Sequence, residues 1–188
     1  MKLYLKRDDD ELPPGPELDA AIAAAEARFG TFPADYRRFL SMTGGGYTYP
    51  NVLVPGIPPE LYPSTSPETL LNQVYGLRSA TLFADGDTYG AGTPPGLWFI
   101  GSDPGGLEFL MALKGEAAGR VFCWYHQSAD WGTDGNDETA LYPQAPSFRA
   151  FIESLGDDGE GTGLDFVGGR PELEARYTAF ETAAIWGR

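Results

Sequence analysis

Three short β-like runs follow one another in the middle of the chain: Leu97–Ile100, Glu108–Leu113 and Arg120–His126. They constrain the fold most. The first gap, Gly101-Ser102-Asp103-Pro104-Gly105-Gly106, consists of turn formers, and the second, Lys114–Gly119, is equally short. A parallel return needs a crossover of about a dozen residues, so the three runs are antiparallel neighbours. In the third run Val121, Cys123 and Tyr125 share one face, and Phe122, Trp124 and His126 share the other. Large apolar groups on both faces predict a central strand.

Helical patterns flank these runs. Leu18, Ile22, Ala25 and Phe29 predict a helix over Glu17–Phe29, stopped at Gly30. A second helix starts after Pro33, places Tyr36, Phe39 and Leu40 on one face, and ends at Gly44-Gly45-Gly46 with positive φ. About four residues join the two, which predicts a helix hairpin. Ser66-Pro67-Glu68 reads as the start of another helix, with Leu70, Leu71 and Val74 as its apolar positions, and 84–96 reads as loop. Phe148, Phe151, Ile152 and Leu155 predict a helix over Pro146–Leu155. Leu173, Tyr177, Phe180 and Ala184 predict a last one over Pro171–Trp186. Lys2–Lys6 reads as a short edge strand, and Asn51–Ile57 as another short strand. The fold class is α+β: an antiparallel sheet packed by an N-terminal helix hairpin and C-terminal helices. Residues 1–155 read as one domain. Residues 156–188 read as an extension, a linker and an amphipathic helix packed on that domain.

Charge limits the partners. The 188 residues carry 27 acids and 13 bases, a net charge of −14, with only three Lys. A clamp on a nucleic-acid backbone or an anionic membrane needs clustered Lys and Arg, so neither is expected. The 25 Gly and 16 Pro suggest many turns, yet 11 Phe, 10 Tyr and 4 Trp are enough to build a core. No apolar run approaches the roughly 18 residues of a membrane span. The charges after Leu5 leave no signal-peptide core, and one cysteine fits a reducing compartment. The expected location is the cytoplasm.

Catalytic signals are weak. Cys123 and His126 stand alone in their types, too few for a Cys/His zinc site. Three apart on a strand, they point to opposite faces and form no local dyad. Cys123 reads as a core residue. Ile100 occupies the first glycine position of a nucleophile elbow at Ser102. Gly90, Gly92 and Gly96 miss the dinucleotide-binding spacing by one. Asp130, Asp134, Gly135 and Asn136 match four positions of a calcium loop, but Gly132 and Leu141 stand where two ligands belong. No enzyme activity, metal or cofactor is expected; a metal-dependent hydrolase built on acidic residues is the contrary reading, which a metal titration tests.

The distribution of charge says more than any motif. No Lys or Arg occurs between Val121 and Phe148, and Asp130, Asp134, Asp137 and Glu138 fall there around Trp131. A second such stretch, Glu153 to Gly169, carries Asp157, Asp158, Glu160 and Asp165. A Trp ringed by carboxylates suits a basic protein partner. A solvated charge run is the other reading. The candidate binding residues are Asp130, Trp131, Asp134, Asp137 and Glu138.

Four blocks then carry a resemblance. They are Phe29-Gly30-Thr31-Phe32-Pro33-Ala34-Asp35-Tyr36-Arg37-Arg38-Phe39-Leu40 running on to Gly44-Gly45-Gly46; Trp98 to Gly106; Gly119 to His126; and Ala145 to Ile152. In order and spacing, over residues 17 to 155, they resemble the Smi/Knr-type domain of the SUKH superfamily. The resemblance implies an α+β domain that binds and does no chemistry. It implies structural roles for Gly44, Gly45, Asp103, Gly105 and Trp124, with Asp103 and Gly105 in a turn. Many bacterial members act as immunity proteins that neutralise a cognate polymorphic toxin, often a nuclease, and fungal relatives act in cell-wall regulation. The expectation is therefore an immunity protein whose acidic face occludes a basic toxin domain. A regulatory scaffold with a self partner is the alternative. The Gly/Pro-rich stretch 76–96 and the residues after Leu155 depart from the family pattern.

Overall fold

A computed structural model describes residues 1–61, 66–85, 94–125, 141–156 and 175–187. The chain begins with β1 (Lys2–Lys6), α1 (Pro16–Phe29) and α2 (Ala34–Thr43). Four short strands follow: β2 (Tyr47–Tyr49), β3 (Val52–Leu53), β4 (Thr69–Leu70) and β5 (Gln73–Val74). Then come α3 (Leu77–Asp85), β6 (Leu97–Ser102), β7 (Glu108–Ala112), β8 (Val121–Trp124) and β9 (Leu141–Ala145). The last elements are α4 (Phe148–Glu153), β10 (Thr178–Glu181) and α5 (Thr182–Trp186).

The fold is α+β with antiparallel pairing. Five strands form one sheet in the order β5-β6-β7-β8-β9, and three form another in the order β10-β1-β2. Gly46 and Val74 link the two sheets by a pair of backbone hydrogen bonds of 2.7 and 2.9 Å. The Gly44-Gly45-Gly46 run makes that junction possible. Gly44 ends α2 in the left-handed region at φ 75°. A side chain at Gly45 would stand 2.6 Å from the backbone nitrogen of Gly76, so the run is a close backbone crossing as well as a helix stop.

Aromatic side chains load both faces of the larger sheet. On one face the Trp98 indole N–H donates to the Tyr36 hydroxyl at 2.9 Å, and Phe32 packs on Trp98 at 4.9 Å. Burial holds the Tyr36 hydroxyl well above its usual pKa. Phe148 of α4 meets Tyr36 and Phe39 of α2 at 4.9 and 5.0 Å, and Phe151 meets Phe109 at 5.1 Å. On the other face Phe99 packs on Trp124 and on Phe83 of α3.

The three central strands and helices α1, α2 and α4 stand where periodicity places them. Three readings are corrected, and one strand is new. Residues 66–74 are not a helix: β4 pairs with β3, and β5 lies along β6, where Asn72 and Tyr75 donate to Ser102 and Ile100. The helix comes later, as α3. Its N-terminal amides of Arg78 and Ser79 donate to the carboxylate of Glu11 at 2.9 and 2.8 Å, a cap supplied from 67 residues away. Pro171–Trp186 is not one helix either. Thr178–Glu181 pairs with β1 as a strand, only Thr182–Trp186 is helical, and Leu173 lies outside the described residues. Lys2–Lys6 is the middle of its sheet and not an edge, since β10 and β2 take both sides. Finally, β9 was not anticipated. It contains Pro143, and among the described residues β9 is an edge, where proline is tolerated.

Candidate protein-binding end of the sheet

Register places one residue of each strand in a row across the larger sheet: Gln73, Ser102, Glu108, Trp124 and Leu141. This row marks the end where β6 turns into β7 and where β8 leaves the sheet. Two buried carboxylates sit there.

Asp103 follows Ser102 and closes the turn. Its Oδ1 accepts the amide of Leu107 at 2.7 Å, and its Oδ2 accepts the hydroxyl of Thr69 at 2.9 Å. Its own amide donates to the carbonyl of Leu107 at 2.9 Å. A side chain at Gly105 would stand 3.3 Å from Asp103 Oδ1, so glycine leaves the carboxylate its room. A buried carboxylate without such donors would cost several kcal/mol. Asp103 is therefore structural, and it pins β4 to the turn.

Glu108 is the second carboxylate, 2% exposed. The hydroxyl of Tyr75 lies 3.1 and 3.0 Å from its two oxygens. In sequence a lone Glu opening an apolar run reads as a solvent-facing strand residue. The one signal for burial is parity, which puts Glu108 on the face of the neighbouring Trp124. Trp124 is wholly buried, as a framework residue.

Asp130, Trp131, Asp134, Asp137 and Glu138 lie outside the described residues, as does His126. Both flanks of their segment are nonetheless held. The chain leaves at Trp124 and returns at Leu141, and those two residues are register partners beside Glu108. Trp124 and Leu141, on either side of the acidic stretch in sequence, thus stand at the end of the sheet that carries Asp103 and Glu108.

Cys123 lies in the core. Its thiol is 2.7 Å from Oε1 of Gln144, which also accepts the amide of Gly56 at 2.7 Å. Burial pushes its pKa up to about 12, so the proton stays on sulfur at neutral pH. Among the described residues no group of three or more His, Cys, Asp or Glu is placed to hold a metal ion. Among them, too, no helix is long and apolar enough to cross a membrane.

No curated protein matches the chain. The model of the SMI1 / KNR4 family (SUKH-1) matches residues 16–154, from α1 through α4, and leaves β1, β10 and α5 outside. With the α+β fold, the buried Asp103 turn and the left-handed glycines after α2 in place across that span, the chain belongs to the SMI1/KNR4 family (SUKH-1).

Proposed function

We propose that this chain is a non-enzymatic, cytoplasmic immunity protein that neutralises a toxin by direct contact. One observation carries the reading. In sequence the four acids and Trp131 lie between Trp124 and Leu141, which pair with each other at one end of the sheet. A charged segment anchored this way loses less freedom on binding than a free tail would.

The partner is a basic protein, a polymorphic toxin domain whose nucleic-acid cleft the acidic segment covers. Trp131 supplies the apolar anchor, and Asp130, Asp134, Asp137 and Glu138 supply the complementary charge. Association is electrostatically steered, so its rate falls steeply with salt, from as high as about 10⁸ M⁻¹s⁻¹ toward about 10⁶. No nucleic acid, membrane or cofactor takes part.

The test is the double variant Trp131→Ala with Asp134→Asn. It is expected to keep its fold and lose at least about tenfold in toxin affinity. Undiminished protection of toxin-exposed cells by this variant defeats the assignment of this face. Membership of the family also supports a second reading, a regulatory domain with a self partner. Co-purification with the product of an adjacent toxin gene separates the two.

A further inference from the structure

α1 and α3 lie side by side and leave an open, mainly apolar groove of about 590 Å³ between them. Its α1 wall carries the small side chains Ala21, Ala24 and Ala25 and ends at Arg28 and Phe29, with Leu12 and Leu77 also lining the groove. Its α3 wall is Arg78, Thr81, Leu82 and Asp85. These positions follow the i, i+3, i+4, i+7 spacing, so they share one face of the helix. Leu82 is 65% exposed, the most exposed of the large hydrophobic residues described.

The charges on α3 are antisymmetric. Arg78 opens the face and Asp85 closes it, about 10 Å apart along the axis, with Leu82 close to the midpoint. Arg78 makes no ion pair among the described residues; its Nη1 donates to the carbonyl of Asp10 at 2.9 Å. Asp85 is held by Arg28 through two contacts of 2.6 Å. A row reading positive, apolar, negative is complementary to itself when reversed. A two-fold axis through Leu82 sets Arg78 of each copy against Asp85 of the other. Each Asp85 then lies between two guanidiniums, and the two Leu82 side chains meet at the axis.

We propose that this chain pairs with a second copy of itself through the α1–α3 groove, about a two-fold axis at Leu82. Two-fold pairing of one patch with itself is the commonest closed arrangement of identical chains. A charge of −14 on each copy opposes the approach, so the pairing is measured at about 0.15 M salt, where the screening length is about 8 Å.

Sedimentation of the full chain from about 1 to about 100 μM reads the result directly. The wild type is expected to move from monomer to dimer across that range. Leu82→Glu is expected to weaken the dimer at least about tenfold by bringing two like charges together at the axis. Leu82 is exposed, so a circular dichroism spectrum like that of the wild type confirms the fold. Arg78→Glu and Asp85→Arg are each expected to weaken pairing, and their equimolar mixture is expected to restore a heterodimer. A wild type that stays monomeric up to about 100 μM overturns the proposal. A dimer indifferent to Leu82→Glu and Arg78→Glu overturns it too, by placing the contact elsewhere. A mixture that fails to restore pairing overturns the antisymmetric register.

Discussion

The five-stranded and three-stranded sheets bury their residues in different ways. Every residue of β7, Glu108 to Ala112, is buried, because aromatic groups cover the sheet on both sides. In β1 burial alternates: Leu3 and Leu5 point inward while Lys2 and Lys6 are exposed. In β10 only Phe180 is partly buried. The family match contains the whole of the larger sheet and only β2 of the smaller one. The other two strands of the smaller sheet, β1 and β10, lie outside the match and pair with each other, Lys2 against Glu181. Helix α5 also holds α2, since Arg38 donates to the carbonyls of Ile185 and Ala184. A sheet covered on both faces depends on volume matching, and a sheet covered on one face depends on a few inward side chains.

Substitutions can break that comparison. The largest effect is expected at Trp98, which is fully buried and bonded to Tyr36. Trp98→Ala should cost about 3–5 kcal/mol in urea denaturation, and about 10 °C in melting temperature. Leu3→Ala, in the smaller sheet, should cost about 2–3 kcal/mol. If Leu3→Ala matches Trp98→Ala, the two sheets are not energetically distinct. Asp103→Ala should cost about 2 kcal/mol by freeing the Leu107 amide and the Thr69 hydroxyl. Thr69→Val removes only one of those donors and should cost about 1 kcal/mol; a larger loss would move the centre of the turn from Asp103 to β4.

The smallest effect is alkaline. The Cys123 thiol has an ordinary value of 9.0 and is raised to about 12 in the fold. Between those values the unfolded chain has released the proton and the folded chain still holds it. Stability is therefore intact below pH 9 and falls as pH rises toward 12. Cys123→Ala should flatten part of that slope in denaturation curves measured from pH 8 upward. The buried Tyr36 acts in the same direction and should leave a residual slope.

Much of the larger sheet is legible in sequence because its turns are local. Asp103 and Gly105 sit in a six-residue gap, and the apolar faces of β6 to β8 alternate within a few residues. The smaller sheet is not legible, because its pairing partners stand at opposite ends of the chain. Lys2–Lys6 looks like an edge, and Thr178–Glu181 continues a helical periodicity, until each finds the other. Helix α3 hides for the same reason, since its cap, Glu11, comes from the N-terminal lead. The candidate site divides similarly. The acidic stretch around Trp131 stands out as a gap in Lys and Arg, whereas Glu108 looks like any strand carboxylate.

The sequence alone determined the fold class, the central strands, helices α1, α2 and α4, and the concentration of acid between Val121 and Phe148. Periodicity and turn chemistry act over a few residues, so they can be read there. Tertiary structure alone decided which strand became an edge, which carboxylate was buried and which residues of neighbouring strands stand in one row at the end of the sheet. Those outcomes depend on backbone hydrogen-bonding groups and apolar faces that remain open after local structure has formed. They are settled only when distant segments compete to cover them.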